Sequence, residues 1–306
     1  MKKMRLHVWI LLGVFLTTFI LGSFLDLSIS EAIYSKNNGF GLFVSVIGTL
    51  PGYACLAFVG GALFTLAIKR PYKIAIKVLF YIGAAVSFVL GTYYAGREFF
   101  GPNGFTNEKI VWVGYLIALP FMCGAGYLGY LATKDTDNKH IVILLVVLLV
   151  AIFMSLVPGV TLLKSIFHRP RFRTLSEPLF TEITFHHWWE RCTNYKDLMT
   201  LYNVTSEEFK SFPSGHAGAS LVFALTVSFL PLFNSKFEKL QLPLFYGGVA
   251  WTLLVCFARI LVGAHFLSDV SMGSLITLIF MYIGHEVMIA IDKKFAKKEE
   301  APVKEE

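Results

Sequence analysis

The amino-acid sequence predicts an all-α membrane protein, a polytopic bundle of about eight transmembrane helices. The first reason is composition: 56% of the 306 residues are hydrophobic and 15% are charged, whereas about a quarter of the residues in a soluble domain are charged. The second is that apolar runs of bilayer length recur along the whole chain. The third is that Lys and Arg concentrate beside every second run, as they do in the loops on one side of a membrane.

Eight apolar runs have about the 20 residues that a helix needs to cross the hydrocarbon core. They cover residues 8–25, 50–68, 76–96, 110–132, 140–163, 214–233, 243–263 and 267–291. The first run exceeds the roughly 7–15 residues of a signal-peptide core, and no small-residue cleavage site follows it, so we expect a retained helix. Pro120 and Pro158 interrupt the fourth and fifth runs, which neighbouring helices can tolerate.

The basic residues predict how the chain is oriented. They cluster before the first run and after the second, fourth, sixth and eighth runs, which lie on one side if every run spans. The positive-inside rule makes that side cytoplasmic. We therefore expect both termini in the cytoplasm of a bacterium, with loops 26–49, 97–109 and 164–213 outside its plasma membrane. The same placement explains the net charge of +7 without a nucleic-acid partner.

Motif content divides the chain into three parts. Residues 1–135 hold transmembrane helices without a matched motif, residues 136–291 hold three chemically distinctive segments, and residues 292–306 form a charged cytoplasmic tail. The four cysteines are scattered, with neither a disulfide framework nor the spacing of a metal site. The oligomeric state is not readable from the sequence.

The first segment, KSIFHRPRF, brings cations to the predicted outer loop 164–213. Lys164 and Arg171 carry permanent positive charge, and an arginine can hold two phosphate oxygens at once. Either residue alone is equally explained by snorkelling at a helix end. Arg259, inside the apolar stretch LLVCFARILVGA, is costly in a membrane unless it faces a polar site. An anionic ligand would account for all three cations.

The second segment, FPSGHAGAS, opens the sixth run. The unpaired backbone N–H groups of Ser214, Gly215 and His216 and the helix dipole favour an anion at this point. Gly215 lets a phosphate approach the backbone, and His216 can exchange a proton near neutral pH. An ordinary helix cap with an interfacial histidine explains this segment equally well when it is taken alone.

In the third segment, ARILVGAHFLSDV, His265 and Asp269 lie four residues apart and so on one helix face. A carboxylate bonded to one ring nitrogen leaves the other nitrogen nucleophilic. A bond that merely fixes two helices is the alternative. Together the three segments supply a nucleophile, an orienting acid, a proton donor and three cations, which is the inventory for phosphoryl transfer through a covalent intermediate.

The combined pattern resembles the type 2 phosphatidic acid phosphatase superfamily, which includes lipid phosphate phosphatases and glucose-6-phosphatase and shares its site with the vanadium haloperoxidases. The resemblance rests on Lys164-x6-Arg171, then Pro213-Ser214-Gly215-His216, then Arg259-x5-His265-x3-Asp269. It implies a six-helix-type phosphatase core in the C-terminal part of the chain.

The resemblance also implies a role for each motif residue. His265 would attack phosphorus and become phosphohistidine, Asp269 would bond its far nitrogen, and His216 would protonate the leaving oxygen. The phosphate oxygens would be held by a set of cations and backbone groups: Lys164, Arg171, Arg259, Ser214 and Gly215. Such a site needs no metal and no other cofactor.

Two positions depart from the family pattern. Phe172 stands where a proline usually follows the motif arginine, and Ala258 replaces the usual serine before Arg259. The second change removes a hydroxyl that would bond a phosphate oxygen, a loss of about 1–2 kcal/mol. Neither change removes a nucleophile, an acid or a charge, so we expect activity.

Loop 172–211 contains FHHWWERC, with two His and two Trp. It predicts either an aromatic belt at the membrane interface or a lid that contacts the substrate headgroup, with Arg169, His187 and Trp188 as candidate contacts. A metal site at His186 and His187 is disfavoured because adjacent side chains point apart and no further ligands are evident.

The expected function is hydrolysis of a lipid phosphate monoester or diphosphate at the outer leaflet. Phosphatidate, phosphatidylglycerophosphate and polyprenyl diphosphates such as undecaprenyl diphosphate all fit. Two alternatives use the same residues: a lipid phosphotransferase, in which an alcohol replaces water, and a binding or transport protein that keeps the site as an anion receptor. The bilayer and the lipid phosphate are the expected partners.

Overall fold

A computed structural model describes residues 2–100, 111–136 and 140–300, which form helices joined by turns and loops, with no strand in these ranges. The helices are α1 (Lys2–Ile33), α2 (Gly39–Ile47), α3 (Leu50–Lys69), α4 (Ile74–Arg97), α5 (Val111–Thr133), α6 (Ile141–Leu156), α7 (Leu162–Phe167), α8 (Phe172–Leu175), α9 (Tyr195–Tyr202), α10 (Gly215–Val227), α11 (Leu230–Phe233), α12 (Glu238–Leu261) and α13 (Leu267–Glu300). A π-helical turn at Val157–Thr161 joins α6 to α7. The all-α prediction is confirmed.

Seven helical segments within the described ranges are long and apolar enough to cross a membrane. They are Met4–Ile33, Gly39–Lys69, Ile74–Arg97, Trp112–Thr133, Ile141–Leu175, Ser235–Leu261 and Leu267–Phe295. The chain is therefore an integral membrane protein built as a helical bundle. The count of eight is not confirmed, because the sixth predicted run contains α10, which has 13 residues and spans only about 20 Å.

Helix α10 is short because it is enclosed by protein. It packs against α3, α6, α12 and α13, and most of its residues are buried. A helix surrounded by other helices need not match the thickness of the hydrocarbon, as a lipid-facing helix must. Just beyond its end, Phe229 lies edge-on to His285 of α13 with ring centroids 5.3 Å apart. The chain thus passes from one end of the bundle to the other at this point.

Side-chain contacts define one end of the bundle. Arg5 of α1 pairs with Glu286 of α13 through two hydrogen bonds of 2.9 and 2.5 Å. The hydroxyl of Thr136 donates to the carbonyl of Phe233 at 3.0 Å. The first contact joins the start of α1 to the later part of α13, and the second joins the α5–α6 connection to the end of α11. The three motif segments lie at the opposite end.

Glycines bring α3 into backbone contact with its neighbours. A Cβ on Gly52 would lie 1.8 Å from the carbonyl oxygen of Ala219 in α10. A Cβ on Gly61 would lie equally close, at 1.8 Å, to the carbonyl oxygen of Gly126 in α5. Such close approach is how small residues join helices in a membrane. The N-terminal helices are therefore packed directly on the helix that carries Gly215 and His216.

We predict that Gly52→Ala destabilises the protein by about 1–3 kcal/mol, because the added methyl group overpacks the contact between α3 and α10. The matched control is Gly247→Ala in α12, where a Cβ meets nothing within 4 Å. Thermal unfolding in detergent measures both. Equal melting temperatures for the two variants would show that α3 and α10 are not in backbone contact.

Candidate active site

The three motif segments meet at one end of the bundle, and the chain changes direction sharply within the first and the third of them. Helix α7 ends at His168, which has a left-handed φ of 49°. Helix α12 is followed by Gly263 at φ 65°, where a Cβ would meet the Tyr34 ring at 2.7 Å and the backbone of Arg173 at 2.8 Å. Glycine is required at this turn. The turn brings His265 back beneath Arg259, whose carbonyl accepts the His265 N–H at 3.2 Å.

His265 is buried and held as a neutral imidazole. Its side chain is 1% exposed, and its Nδ1 lies 2.7 Å from the carbonyl oxygen of Ser211. Because a carbonyl only accepts, Nδ1 carries the proton and Nε2 keeps its lone pair. Burial lowers the pKa of His265 well below its usual value, and the charges of Arg171, Lys164 and Arg259 lower it further.

Asp269 acts on His265 through Ser211 instead of directly. The expected hydrogen bond is absent, since Nδ1 of His265 and Oδ2 of Asp269 are 3.8 Å apart. That oxygen accepts from the Ser211 hydroxyl at 2.5 Å and from the Phe266 N–H at 2.9 Å. The carboxylate therefore positions the segment whose carbonyl holds the histidine. Ser211 was missed by the sequence reasoning because a serine beside the motif has no pattern of its own.

The expectation that Arg169 contacts a headgroup is wrong. Its side chain is 0% exposed, and Nη1 donates to Asp269 at 2.6 Å while Nη2 donates to Asp26 at 2.9 Å. Further bonds run from Nε to the carbonyl of His186 and from Nη1 to the hydroxyl of Ser268. Two buried carboxylates need a counter-charge, so the guanidinium faces inward.

Asp26 of α1 is a second residue that the sequence reasoning missed. Besides Arg169, it accepts from the backbone N–H of Ser268 at 2.8 Å and from the hydroxyl of that serine. A Cβ on Gly22 would lie 2.5 Å from the Ser268 nitrogen, so α1 and the start of α13 are in close contact. An aspartate inside an apolar run is a functional-site signal in its own right, and this signal was available in the sequence.

Arg171 and Lys164 line the same region. Arg171 is 5% exposed and donates to the carbonyls of Glu207 at 2.7 Å and Ala264 at 2.9 Å. Nζ of Lys164 donates to the carbonyl of Lys210 at 2.6 Å. A Cβ on Gly215 would lie 3.9 Å from Cε of Lys164. The six-residue spacing thus brings both cations to the motif residues.

Arg259 is the most unusual of the cations. Its side chain is 0% exposed, and neither Nε nor Nη1 donates to any acceptor in the described part of the chain. A buried donor without an acceptor costs about 1–3 kcal/mol, and more when it is charged. Such a group indicates an anion-binding position.

The start of α10 offers fewer N–H groups than we predicted. The N–H of Ser214 donates to the carbonyl of Asp269 at 2.9 Å, so it cannot also bind phosphate. Its hydroxyl accepts from the Ala217 N–H as a helix cap. Within the described ranges, the N–H groups of Gly215 and His216 have no acceptor. The N–H groups left for an anion at this helix start are therefore those of Gly215 and His216.

Glu98 is the third residue that sequence reasoning missed. It follows α4 and places Oε2 3.2 Å from Nε2 of His216. The two atoms are close enough for an ion pair but do not form a hydrogen bond. The carboxylate comes from the N-terminal half of the chain, 118 residues before His216 in the numbering. No short motif could have joined these two residues.

The loop between α8 and α10 is folded over this end of the bundle. It has its own apolar cluster of Ile183, Cys192, Leu198 and Phe209. Trp188 points inward, where its indole N–H donates to Ser23 at 2.9 Å, so that N–H is not available to a headgroup. The His187 ring stacks on Trp189 at 4.5 Å. Trp189 is exposed, as expected for an aromatic belt at the membrane interface. Contact of His187 with a substrate headgroup remains a prediction.

Both departures from the family pattern are accommodated by packing. Phe172 lies edge-on to Tyr34 at 5.1 Å and to Phe266 at 6.1 Å. Ala258 is fully buried in an apolar cluster with Val44 and Val255. A hydroxyl at position 258 would enter this apolar cluster.

We predict that Arg169→Met destabilises the protein by about 3–5 kcal/mol, because Asp26 and Asp269 would remain buried without a counter-charge. Arg191→Met, at an exposed position of the same loop, is the matched control and should change stability little. Thermal unfolding in detergent compares them. A headgroup-contacting arginine would instead leave the melting temperature unchanged and alter only lipid turnover.

Comparison with known proteins agrees with this geometry. The family model described as the PAP2 superfamily matches residues 140–291, a range that contains the three motif segments and excludes Asp26 and Glu98. No curated protein and no solved structure gave a significant match to the chain. Through residues 140–291, the chain belongs to the PAP2 superfamily and carries a phosphatase domain of that superfamily within a membrane helical protein.

Proposed function

We propose that the protein hydrolyses a lipid phosphate monoester or diphosphate through a phosphohistidine formed on His265. The single observation that carries this proposal is the buried guanidinium of Arg259, whose Nε and Nη1 have no acceptor in the described part of the chain. Phosphate oxygens accept several charge-assisted hydrogen bonds at once and would satisfy both donors. A structural arginine would already be paired, as Arg169 is.

The surrounding groups fit a phosphate better than a carboxylate. Arg171, Lys164 and Arg259 all act electrostatically on His265, and the N–H groups of Gly215 and His216 open a helix whose dipole favours an anion. Three cations and a helix start match the charge that develops on the equatorial oxygens of a transferring phosphoryl group. The proposed chemistry therefore requires no metal and no cofactor.

The proposed reaction has two steps. Nε2 of His265 attacks phosphorus, the bond from phosphorus to the leaving oxygen breaks, and that oxygen takes a proton from His216. Water then attacks the phosphohistidine and gives a proton back to His216, and the P–N bond breaks. Phosphate leaves, and His265 is again neutral with its proton on Nδ1.

The position of the site supports a lipid as the substrate. The motif residues lie where apolar helices end, so a phosphate attached to a lipid chain could reach Arg259 while the chain remains among the helices. Phosphatidate, phosphatidylglycerophosphate and undecaprenyl diphosphate share this form. The distribution of basic residues supports an extracytoplasmic site, with both termini in the cytoplasm of a bacterial cell.

We predict that purified protein in detergent, with a chelator present, releases phosphate from at least one of these lipids. His265→Ala should lower turnover by about 10⁴-fold or more, since it removes the nucleophile. Arg259→Lys should lower kcat/KM by about 10- to 150-fold, because it loses hydrogen bonds to a charged group worth about 1.5–3 kcal/mol. Glu177→Gln, at an exposed ion pair with Lys36, is the control.

The outcomes separate the proposal from its alternatives. Transfer of the phosphate to an added alcohol, without release of free phosphate, would show a phosphotransferase. Lipid binding without turnover at any pH would show a receptor or transporter. Wild-type activity in His265→Ala would refute the assigned chemistry.

A further inference from the structure

Glu98 introduces a carboxylate into the site from outside the family-matched region. It lies directly after α4, whereas the match covers residues 140–291. The side chains of His216 and Glu98 are 12% and 15% exposed and approach to 3.2 Å. At this distance and burial, the charge of Glu98 stabilises a protonated imidazole strongly.

The other charged groups near His216 have the opposite effect. Arg259 faces it from α12 and Arg171 from the segment between α7 and α8, and both disfavour an imidazolium. His265, from the segment between α12 and α13, is also within electrostatic reach. Burial and these cations together lower the pKa of His216, and the charge of Glu98 opposes that shift without reversing it. Glu98 is the described carboxylate that contacts the ring.

The carboxylate is held in place and stays ionised. Its neighbour Arg97 lies over the Tyr94 ring at 5.6 Å, and Tyr94 stacks on Tyr53 of α3 at 5.6 Å. Burial raises the pKa of Glu98, but the charges of His216, Arg97 and Arg259 outweigh it and hold that pKa at about 2. Glu98 is therefore ionised near neutral pH.

We propose that Glu98 is a positioning residue for the general acid, one that opposes loss of the proton from the His216 imidazole and orients the ring toward the leaving oxygen. This inference rests on the proposed phosphatase function and assigns a role to the N-terminal helices. Since Nε2 faces Glu98, the proton that His216 donates is the one on Nδ1. The electron pair of the breaking P–O bond takes that proton, and the imidazole left behind is neutral, with its remaining proton on Nε2 beside Glu98.

The test compares two leaving groups. An alkyl phosphate, such as a short-chain phosphatidate, needs protonation of its leaving oxygen, whereas the phenolate of p-nitrophenyl phosphate leaves without it. Glu98→Gln keeps the shape and removes the charge. It should lower kcat/KM for the alkyl ester by about 10- to 100-fold. The kcat/KM for the aryl ester should stay within about threefold of the wild-type value. Glu98→Asp should recover part of the alkyl activity.

The pH profile gives a second readout. The basic limb of the alkyl profile reports loss of the proton from the general acid. Without the negative charge of Glu98, this limb should move to lower pH by about one unit or more. A purely structural defect would lower the whole profile without moving the limb. Glu177→Gln again serves as the charge-removing control, and thermal unfolding checks that Glu98→Gln is folded.

His216→Ala separates failure of this inference from failure of the proposed function. This variant should also lose activity selectively on the alkyl ester, and the loss in kcat/KM should be larger than that of Glu98→Gln. If His216→Ala is selective and Glu98→Gln slows both esters equally or neither, the role of Glu98 is refuted and the phosphatase stands. If the wild type hydrolyses neither these esters nor phosphatidylglycerophosphate nor undecaprenyl diphosphate, the proposed function and this inference both fail. If Glu98→Gln does not fold, Glu98→Asp decides the question. Full activity on the alkyl ester with an unmoved basic limb would refute the inference. A partial loss of activity on the alkyl ester alone would support it.

Discussion

The buried arrangement of Arg169 between Asp26 and Asp269 is the interaction on which the rest of the site depends. It joins α1, the segment after α7 and the start of α13, three elements that are distant in sequence. One oxygen of Asp269 binds Arg169, and the other binds Ser211, whose carbonyl holds His265. The orientation of His265, the proposed nucleophile, therefore depends on a chain of contacts that begins in the first helix. Removing one partner of such a buried group leaves an uncompensated charge.

Charges on the two sides of His265 are arranged differently. Behind it, Arg169 is fully paired with carboxylates. In front of it, Arg259 has donors without acceptors in the described part of the chain, and Arg171 is held by backbone carbonyls. This asymmetry lets the cations interact with an incoming phosphate without first breaking strong ion pairs. Glu98 is the described carboxylate that contacts His216, the proposed proton donor, on this side.

The motif residues could be predicted from sequence because their spacing is local and their chemistry is distinctive. Asp26, Ser211 and Glu98 could not be assigned a role, since their partners lie 242, 54 and 118 residues away in the numbering. The direction in which Arg169 points depends on Asp26 and so was predicted wrongly. The occupied N–H of Ser214 depends on the packing of α13 against α10, where a Cβ on Gly273 would meet the Ser214 carbonyl at 2.1 Å. The short α10 escaped prediction because a buried helix need not match the bilayer.

The proposed mechanism requires that His265 carries the phosphoryl group, and direct detection of this phosphohistidine is its best test. Protein incubated with radiolabelled substrate is quenched in alkali, in which phosphohistidine survives, and the label is mapped along the chain. We expect alkali-stable, acid-labile label on His265 and none in His265→Ala. His216→Ala should retain more label if it slows hydrolysis of the phosphohistidine. Label on another residue, or turnover with no bound label in either the wild type or His216→Ala, would contradict the account.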